Sequence, residues 1–195
     1  YLGVDIGGTK MQACLVEECG TVLERKRAGT PRNGGPEEVL ATLDQVIAEL
    51  LENVKKKGAR RRLAAIGVAV PGVVEPDSGR VIVTPNMNLT GVALGDHLEQ
   101  QFGLPVAIGN DCNLGALGEK WLGSARKARS VVAILVGTGI GGGFVRKGKL
   151  WRGAREAACE LGHMVMQIGG PQCGCGNNGC LEALASRLGI GRQVC

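Results

Sequence analysis

The sequence predicts an α/β fold with a mixed sheet. Three observations carry that expectation. Three strand-like runs follow one another at the start of the chain, an amphipathic helix comes next, and short apolar runs then alternate with helical segments.

The first three strands are expected at 1–6, 10–17 and 21–28, joined by turns at "GGT" and "EECG". The segment "GPEEVLATLDQVIAELLENVKKKG" has Val39, Leu43, Val46, Ile47, Leu50 and Val54 at helical spacing. Pro36 suits its first turn, Glu37 and Glu38 its positive end, and residues 55–57 its negative end. The continuous apolar run "LAAIGVAV" (63–70) reads as a buried parallel strand that "PG" terminates. A small hairpin is expected over 73–83 around "EPDSGR", and a short helix near 94–102. The strand "PVAIG" (105–109) leads to a helix opened by Asp111 and running to about Leu122. "SVVAILVG" (130–137) reads as one more buried strand, followed by a glycine turn and a hairpin, "GGFVRKGKLWRG". A lobe boundary is placed near residue 109, giving lobes 1–108 and 109–195.

The 195 residues suffice for one medium domain or two small lobes. Apolar residues at 44% and charged residues at 21% are ordinary for a globular protein. No apolar run approaches the roughly 18 residues that cross a bilayer. The chain opens on a strand-like run without Met or a signal-peptide pattern, and it stops at Cys195 in a helix-like run. Both ends are therefore expected to be cuts. The net charge of +5 includes the run "KKKGARRR" at 55–62. Aromatics make up only 3%, too few to stack bases, so this run reads as a helix end and solvated loop rather than a nucleic-acid contact. Of the eight cysteines, Cys173, Cys175 and Cys180 cluster beside His163 and the rest are scattered. That spacing fits a reducing compartment with one metal cluster, and hence a cytoplasmic protein, better than a disulfide scaffold.

Two glycine phrases could meet a phosphate. In "VDIGGTK", Gly7 and Gly8 can expose backbone N–H groups in an anion-binding concavity, with Thr9 adding a hydroxyl and Lys10 a cation. Asp5 precedes the turn, where it could hold Mg²⁺ through water. An ordinary glycine hairpin between two strands explains this loop equally well. "LVGTGIGGG" formally matches GxGxxG at Gly137, Gly139 and Gly142. A dinucleotide fold would need a helix next, but the residues after the glycines read as a hairpin. Gly137, Thr138 and Gly139 therefore read as a second phosphate-holding turn. One turn in each expected lobe suggests nucleotide phosphates gripped from both sides.

The full set "DIGGTK", "VAVPG", "TPN", "GNDCN", "LVGTGIGGG" and "ELGH…CGCGNNGCLE" resembles the ROK family (repressor, open reading frame, kinase), and within it the bacterial glucokinase branch. The resemblance runs across essentially the whole chain. It implies the actin-like, RNase H-like ATPase fold of sugar kinases, Hsp70 and actin, in two lobes with the second incomplete. It also implies ATP and Mg²⁺ as cofactors, a hexose substrate and a homodimer. Family members are considerably longer, so this piece alone is expected to be weakly active or inactive.

Asp111 in "IGNDCN" can cap a helix and act as a general base, because a helix N-terminus keeps a carboxylate ionised. The resemblance implies that it takes the proton of a hexose 6-hydroxyl. It further implies sugar contacts from Asn86, Asn110, Glu160, His163 and Glu182, and from backbone near Gly72. Glucose is the expected sugar, with N-acetylmannosamine, N-acetylglucosamine and fructose as alternatives. A sugar-sensing repressor and a zinc-dependent nucleic-acid module are the competing functions. Many such glucokinases carry a tryptophan soon after TPN, where this chain has "NMNLTGVAL".

His163, Cys173, Cys175 and Cys180 form a His–x9–Cys–x–Cys–x4–Cys pattern. Four N/S ligands suit tetrahedral Zn²⁺, and a closed protein shell implies a structural metal. The alternatives are reduced thiols in a glycine loop and a redox pair, though CxC followed by x4 suits redox chemistry poorly. With zinc bound, one imidazole nitrogen of His163 would hold the metal while the other faces the sugar.

Overall fold

The computed structural model describes residues 1–56, 63–85 and 87–194, with side chains of 54–56 outside that description. The expected Val54 contact, the basic run at 55–62 and Asn86 therefore fall outside the described side chains. Two compact units emerge, Tyr1–Asp111 and Cys112–Cys195. The division falls after Asp111, which groups with the first unit.

In the first unit, β1 (Leu2–Ile6), β2 (Lys10–Val16) and β3 (Val22–Gly29) form an antiparallel meander. Helix α1 (Pro36–Lys56) comes next and returns the chain to β4 (Ile66–Val70), which pairs parallel with β1. After the small hairpin of β5 (Val73–Glu75) and β6 (Arg80–Val83), α2 (Leu94–Phe102) leads to β7 (Val106–Asn110), parallel to β4. The sheet is mixed, in the order β3-β2-β1-β4-β7. β4 is shorter than the expected 63–70 because pairing with β1 and β7 begins only at Ile66.

Burial explains this arrangement. The α1 stripe Val39, Leu43, Val46, Ile47 and Leu50 is buried against alternate residues of the strands, Leu2, Val4, Ile6, Met11 and Ala13 among them. α2 adds Leu94 and Leu98 to the same core. Gly103 ends α2 in the left-handed conformation at φ +64°, and its N–H donates to the Glu99 carbonyl. His97 of α2 meets Asp44 of α1 through Nε2, at 3.1 and 2.9 Å from the two carboxylate oxygens.

The second unit contains most of α3 (Asp111–Trp121), then β8 (Ser130–Val136), β9 (Ile140–Arg146) and β10 (Lys149–Leu150) in an antiparallel sheet of order β10-β9-β8. α4 (Leu181–Ala185) and α5 (Arg187–Val194) come after the cysteine-rich stretch. The expectation that β8 is buried is overturned: Val132, Ile134 and Val136 are each more than half exposed. An apolar run does not provide its own covering layer, and the described elements leave much of this strand open. Three of the glycines in "GTGIGGG" belong to β9, not to a phosphate turn. A Cβ at Gly141 would meet Cys112 Sγ, one at Gly142 the Cys159 carbonyl and one at Gly143 the Ala116 side chain. They let α3 and the segment before His163 lie directly on the strand. Among the described residues, no helix is long and apolar enough to cross a membrane.

Candidate active site and metal centre

The parallel strands β1, β4 and β7 end on the same side of the sheet, and the candidate residues of the first unit collect there. The carboxyl ends of parallel strands are where open α/β sheets bind ligands. Asp5 lies near the end of β1, opposite Gln12 and Ala69 of its neighbours. Gly72 comes just after β4, and Asn110 closes β7 with Asp111 next in sequence. The Asn110 amide donates to the Gly72 carbonyl at 2.9 Å. Gly72 has φ +98°, and an added Cβ would lie 2.2 Å from the Val83 carbonyl oxygen, so only glycine fits.

Asp5 senses the charge of Asp111. The Asp5 carboxyl is pushed above 3.8, first by loss of hydration and second by the negative charge of Asp111, while Lys10 pulls it down. A pair of nearby carboxylates with a lysine beside them is suited to holding a divalent cation and a proton acceptor in one place.

The first glycine turn is tight. The Gly7 N–H donates to the Lys10 carbonyl at 2.9 Å. Thr30, just after β3, donates its hydroxyl to the Gly7 carbonyl at 2.6 Å and its N–H to the Thr9 carbonyl at 3.0 Å. Gly8 is half-buried, while the Thr9 and Lys10 side chains are exposed.

The second turn, in the other unit, joins β8 to β9. The Gly137 N–H donates to the Gly139 carbonyl at 2.8 Å. Arg187, at the start of α5, donates its N–H to the Gly137 carbonyl at 3.0 Å and its Nη2 to the Thr138 hydroxyl at 2.8 Å. Glu182 accepts the Ile140 N–H through Oε2 at 2.8 Å, and a side chain at Gly139 would strike that carboxylate. Sequence reasoning missed these anchors. Nothing in the spacing of Glu182 or Arg187 connects them to a turn more than forty residues earlier.

His163, Cys173, Cys175 and Cys180 converge, with their candidate ligand atoms all within 4.8 Å of one another. Cys175 Sγ and Cys180 Sγ are 3.7 Å apart, and Cys173 Sγ lies 3.7 Å from His163 Nδ1. A tetrahedral zinc with bonds of ~2.3 Å to sulfur and ~2.0 Å to nitrogen spaces its ligands by roughly 3.5–3.8 Å. The four residues therefore fit the ion. Gly176 at φ +94° and Gly179 at φ +73° turn the loop around it, and the Cys173 N–H donates to the Asn177 carbonyl at 2.8 Å. Burial pushes the Cys180 thiol up to about 12, so a cation is what would make it a thiolate; a backbone hydrogen bond from Asn177 draws the Cys175 thiol down. Because His163 turns Nδ1 toward Cys173, Nδ1 is the nitrogen that would take the metal, leaving Nε2 outside the cluster.

His163 sits in a 3-10 turn, Leu161–His163, packed so that Gly162 abuts the Ile140 carbonyl. Glu160 precedes this turn and is exposed. Glu182 also approaches Cys173 Sγ at 3.8 Å through Oε1, so one carboxylate touches both the metal cluster and the second glycine turn.

The ROK family profile matches residues 1–194. The glucokinase of Thermotoga maritima is 38% identical over 192 residues, covering 98% of this chain and 58% of that protein. The xylose repressor of Caldicellulosiruptor bescii is 36% identical over 191 residues, covering 97% of this chain and 47% of the repressor. The crystal structure of a ROK family glucokinase from Streptomyces griseus, in complex with glucose and AMPPNP, superposes with a TM-score of 0.84 at 35% identity. That match covers 98% of this chain and 59% of the other. The chain thus spans about half the length of the curated relatives it matches. Its architecture is the actin-like ATPase fold of these kinases, and the chain belongs to the ROK family.

Proposed function

We propose that the protein phosphorylates the 6-hydroxyl of a hexose at the expense of ATP, with glucose the leading substrate. The observation that carries this reading is the gathering of Asp5, Gly72, Asn110 and Asp111 at the carboxyl ends of β1, β4 and β7. Glucokinase relatives at 35–38% identity support it.

In this reading Asp111 takes the proton of the sugar hydroxyl as its oxygen bonds to the terminal phosphorus. The bond from that phosphorus to the bridging oxygen breaks, and ADP leaves with the electron pair. Asp5 would hold Mg²⁺ through water, supplying charge neutralisation for the phosphates. Gly7, Gly8, Thr9 and Lys10 in one unit, and Gly137, Thr138 and Gly139 in the other, serve as phosphate contacts. Asn86, Asn110, Glu160, His163, Glu182 and backbone at Gly72 serve as sugar contacts. Zn²⁺ on His163, Cys173, Cys175 and Cys180 would be structural, fixing the His163 ring. The described part of the second unit buries few large apolar side chains, Ile140 and Val145 chief among them, so a metal cross-link there would matter for stability. A cytoplasmic homodimer is part of the same reading.

The second reading, a sugar-sensing repressor, is favoured by xylose repressors at 35–36% identity. A coupled ADP-release assay against glucose, mannose, fructose, N-acetylglucosamine and N-acetylmannosamine tests the proposal, using the protein at the full length its gene encodes. Turnover of glucose above the others is expected. Sugar binding without turnover, together with sugar-dependent DNA binding, would favour the repressor instead.

A further inference from the structure

Two arginines have no part in the proposed chemistry so far, and they are placed alike. In the first unit, Arg32 Nη2 donates to the Thr9 hydroxyl at 3.1 Å. In the second, Arg187 Nη2 donates to the Thr138 hydroxyl at 2.8 Å. Arg32 comes from the loop between β3 and α1, and Arg187 from the first residue of α5. Each nonetheless meets the threonine of its own unit's glycine turn.

The backbone around each arginine is fixed. The Arg32 loop is tied to the first turn by Thr30 and to Asn88, whose amide donates to the Gly34 carbonyl at 2.5 Å. Arg32 also lines an open cavity of about 480 Å³ with Thr84, Pro85, Met87 and Thr90. The Arg187 N–H is held by the Gly137 carbonyl, and the buried Ser186 beside it accepts the Gly189 N–H at 3.0 Å. Among the described residues, neither arginine has a carboxylate partner.

A hydroxyl takes one guanidinium N–H and leaves the charge intact. The planar fork retains donors suited to two oxygens of one phosphate. We propose that Arg32 and Arg187 are phosphate-binding residues, each anchored by a turn threonine and each offering its remaining N–H groups to the phosphates held at that turn. Within the first unit, Arg32 would add to Lys10 positive charge for the phosphates held at that turn. This inference rests on the phosphate reading of the two turns.

Calorimetric titration of the full-length protein with Mg·ATP, tripolyphosphate and glucose tests it. Arg32→Ala and Arg187→Ala are each expected to weaken ATP and tripolyphosphate about tenfold, the range of one charge-assisted hydrogen bond, and to leave glucose affinity unchanged. Arg32→Gln and Arg187→Gln keep a donor for the threonine but lose the charge; they are expected to weaken binding similarly, with a gap from wild type that shrinks at high salt. Gln variants that bind tripolyphosphate like wild type would overturn the inference, since the arginine would then only brace the turn. Equal losses for glucose and phosphate would overturn it too. A wild-type protein that binds neither ATP nor tripolyphosphate would sink the phosphate reading of the turns, and this inference with it.

Discussion

Replacing Gly72 by alanine tests how the sheet builds the candidate active site. The residue sits at φ +98°, where an L side chain is strained by about 1–2 kcal/mol. The new Cβ would also stand 2.2 Å from the Val83 carbonyl oxygen and 3.1 Å from Thr84 Cα. These are main-chain atoms, so no rotamer change relieves the clash, and shifting backbone adds about 2–3 kcal/mol. The expected loss for Gly72→Ala is therefore roughly 3–5 kcal/mol. Gly91 provides the control. It has φ +81° and nothing within 4 Å of an added Cβ, so Gly91→Ala should cost only the strain, about 1–2 kcal/mol. Urea denaturation of both variants, with unchanged slopes, measures the difference. Because the Gly72 carbonyl accepts from Asn110, the displaced backbone should also raise KM for the sugar in Gly72→Ala and not in Gly91→Ala. Equal destabilisation of the two variants would refute the steric argument.

Other outcomes rest on the same geometry. Asp5 has a raised folded pKa, so its favourable contribution to stability is full below 3.8 and is lost as pH rises through the folded value. Asp5→Asn should accordingly gain stability relative to wild type as pH rises from 3 toward neutrality, read by thermal melts; a gap that is constant with pH would contradict this. In Asp111→Asn the Asp5 carboxyl should titrate lower by NMR, since the second cause of its shift is gone. Metal analysis should find one zinc per chain, lost in Cys180→Ser, and chelation should remove hexose affinity together with local order; a metal-free, folded sample that still binds hexose would refute the structural role. Glu182→Ala removes the acceptor of the Ile140 N–H and should cost about 1.5–3 kcal/mol, whereas Glu182→Gln, which keeps a carbonyl acceptor, should cost less.

Much of the first unit was legible in the sequence because its elements carry local signals. The helical spacing of Val39 to Leu50 and the continuous run "IGVAV" each specify an element before any tertiary contact is known. Asp111 reads as a helix opener from its position after a strand. The metal cluster is local too, its ligands lying within eighteen residues of one another. What escaped was non-local. The exposure of β8 depends on which elements cover it, and its composition matches that of a buried strand. The glycines at 141–143 look like a phosphate motif but let α3 and the segment before His163 pack closely on β9, visible only once these elements are placed. Arg32, Arg187 and the second partner of Glu182 reach their turns through the fold, and no spacing rule announces them.

Whether a carboxylate at the end of β7 draws a proton from a sugar alcohol is best settled by steady-state kinetics of Asp111→Asn beside wild type, under saturating ATP and glucose. A fall in kcat of about a hundredfold or more, with KM for glucose little changed, is the expected result. A variant that turns over glucose at the wild-type rate would contradict the account.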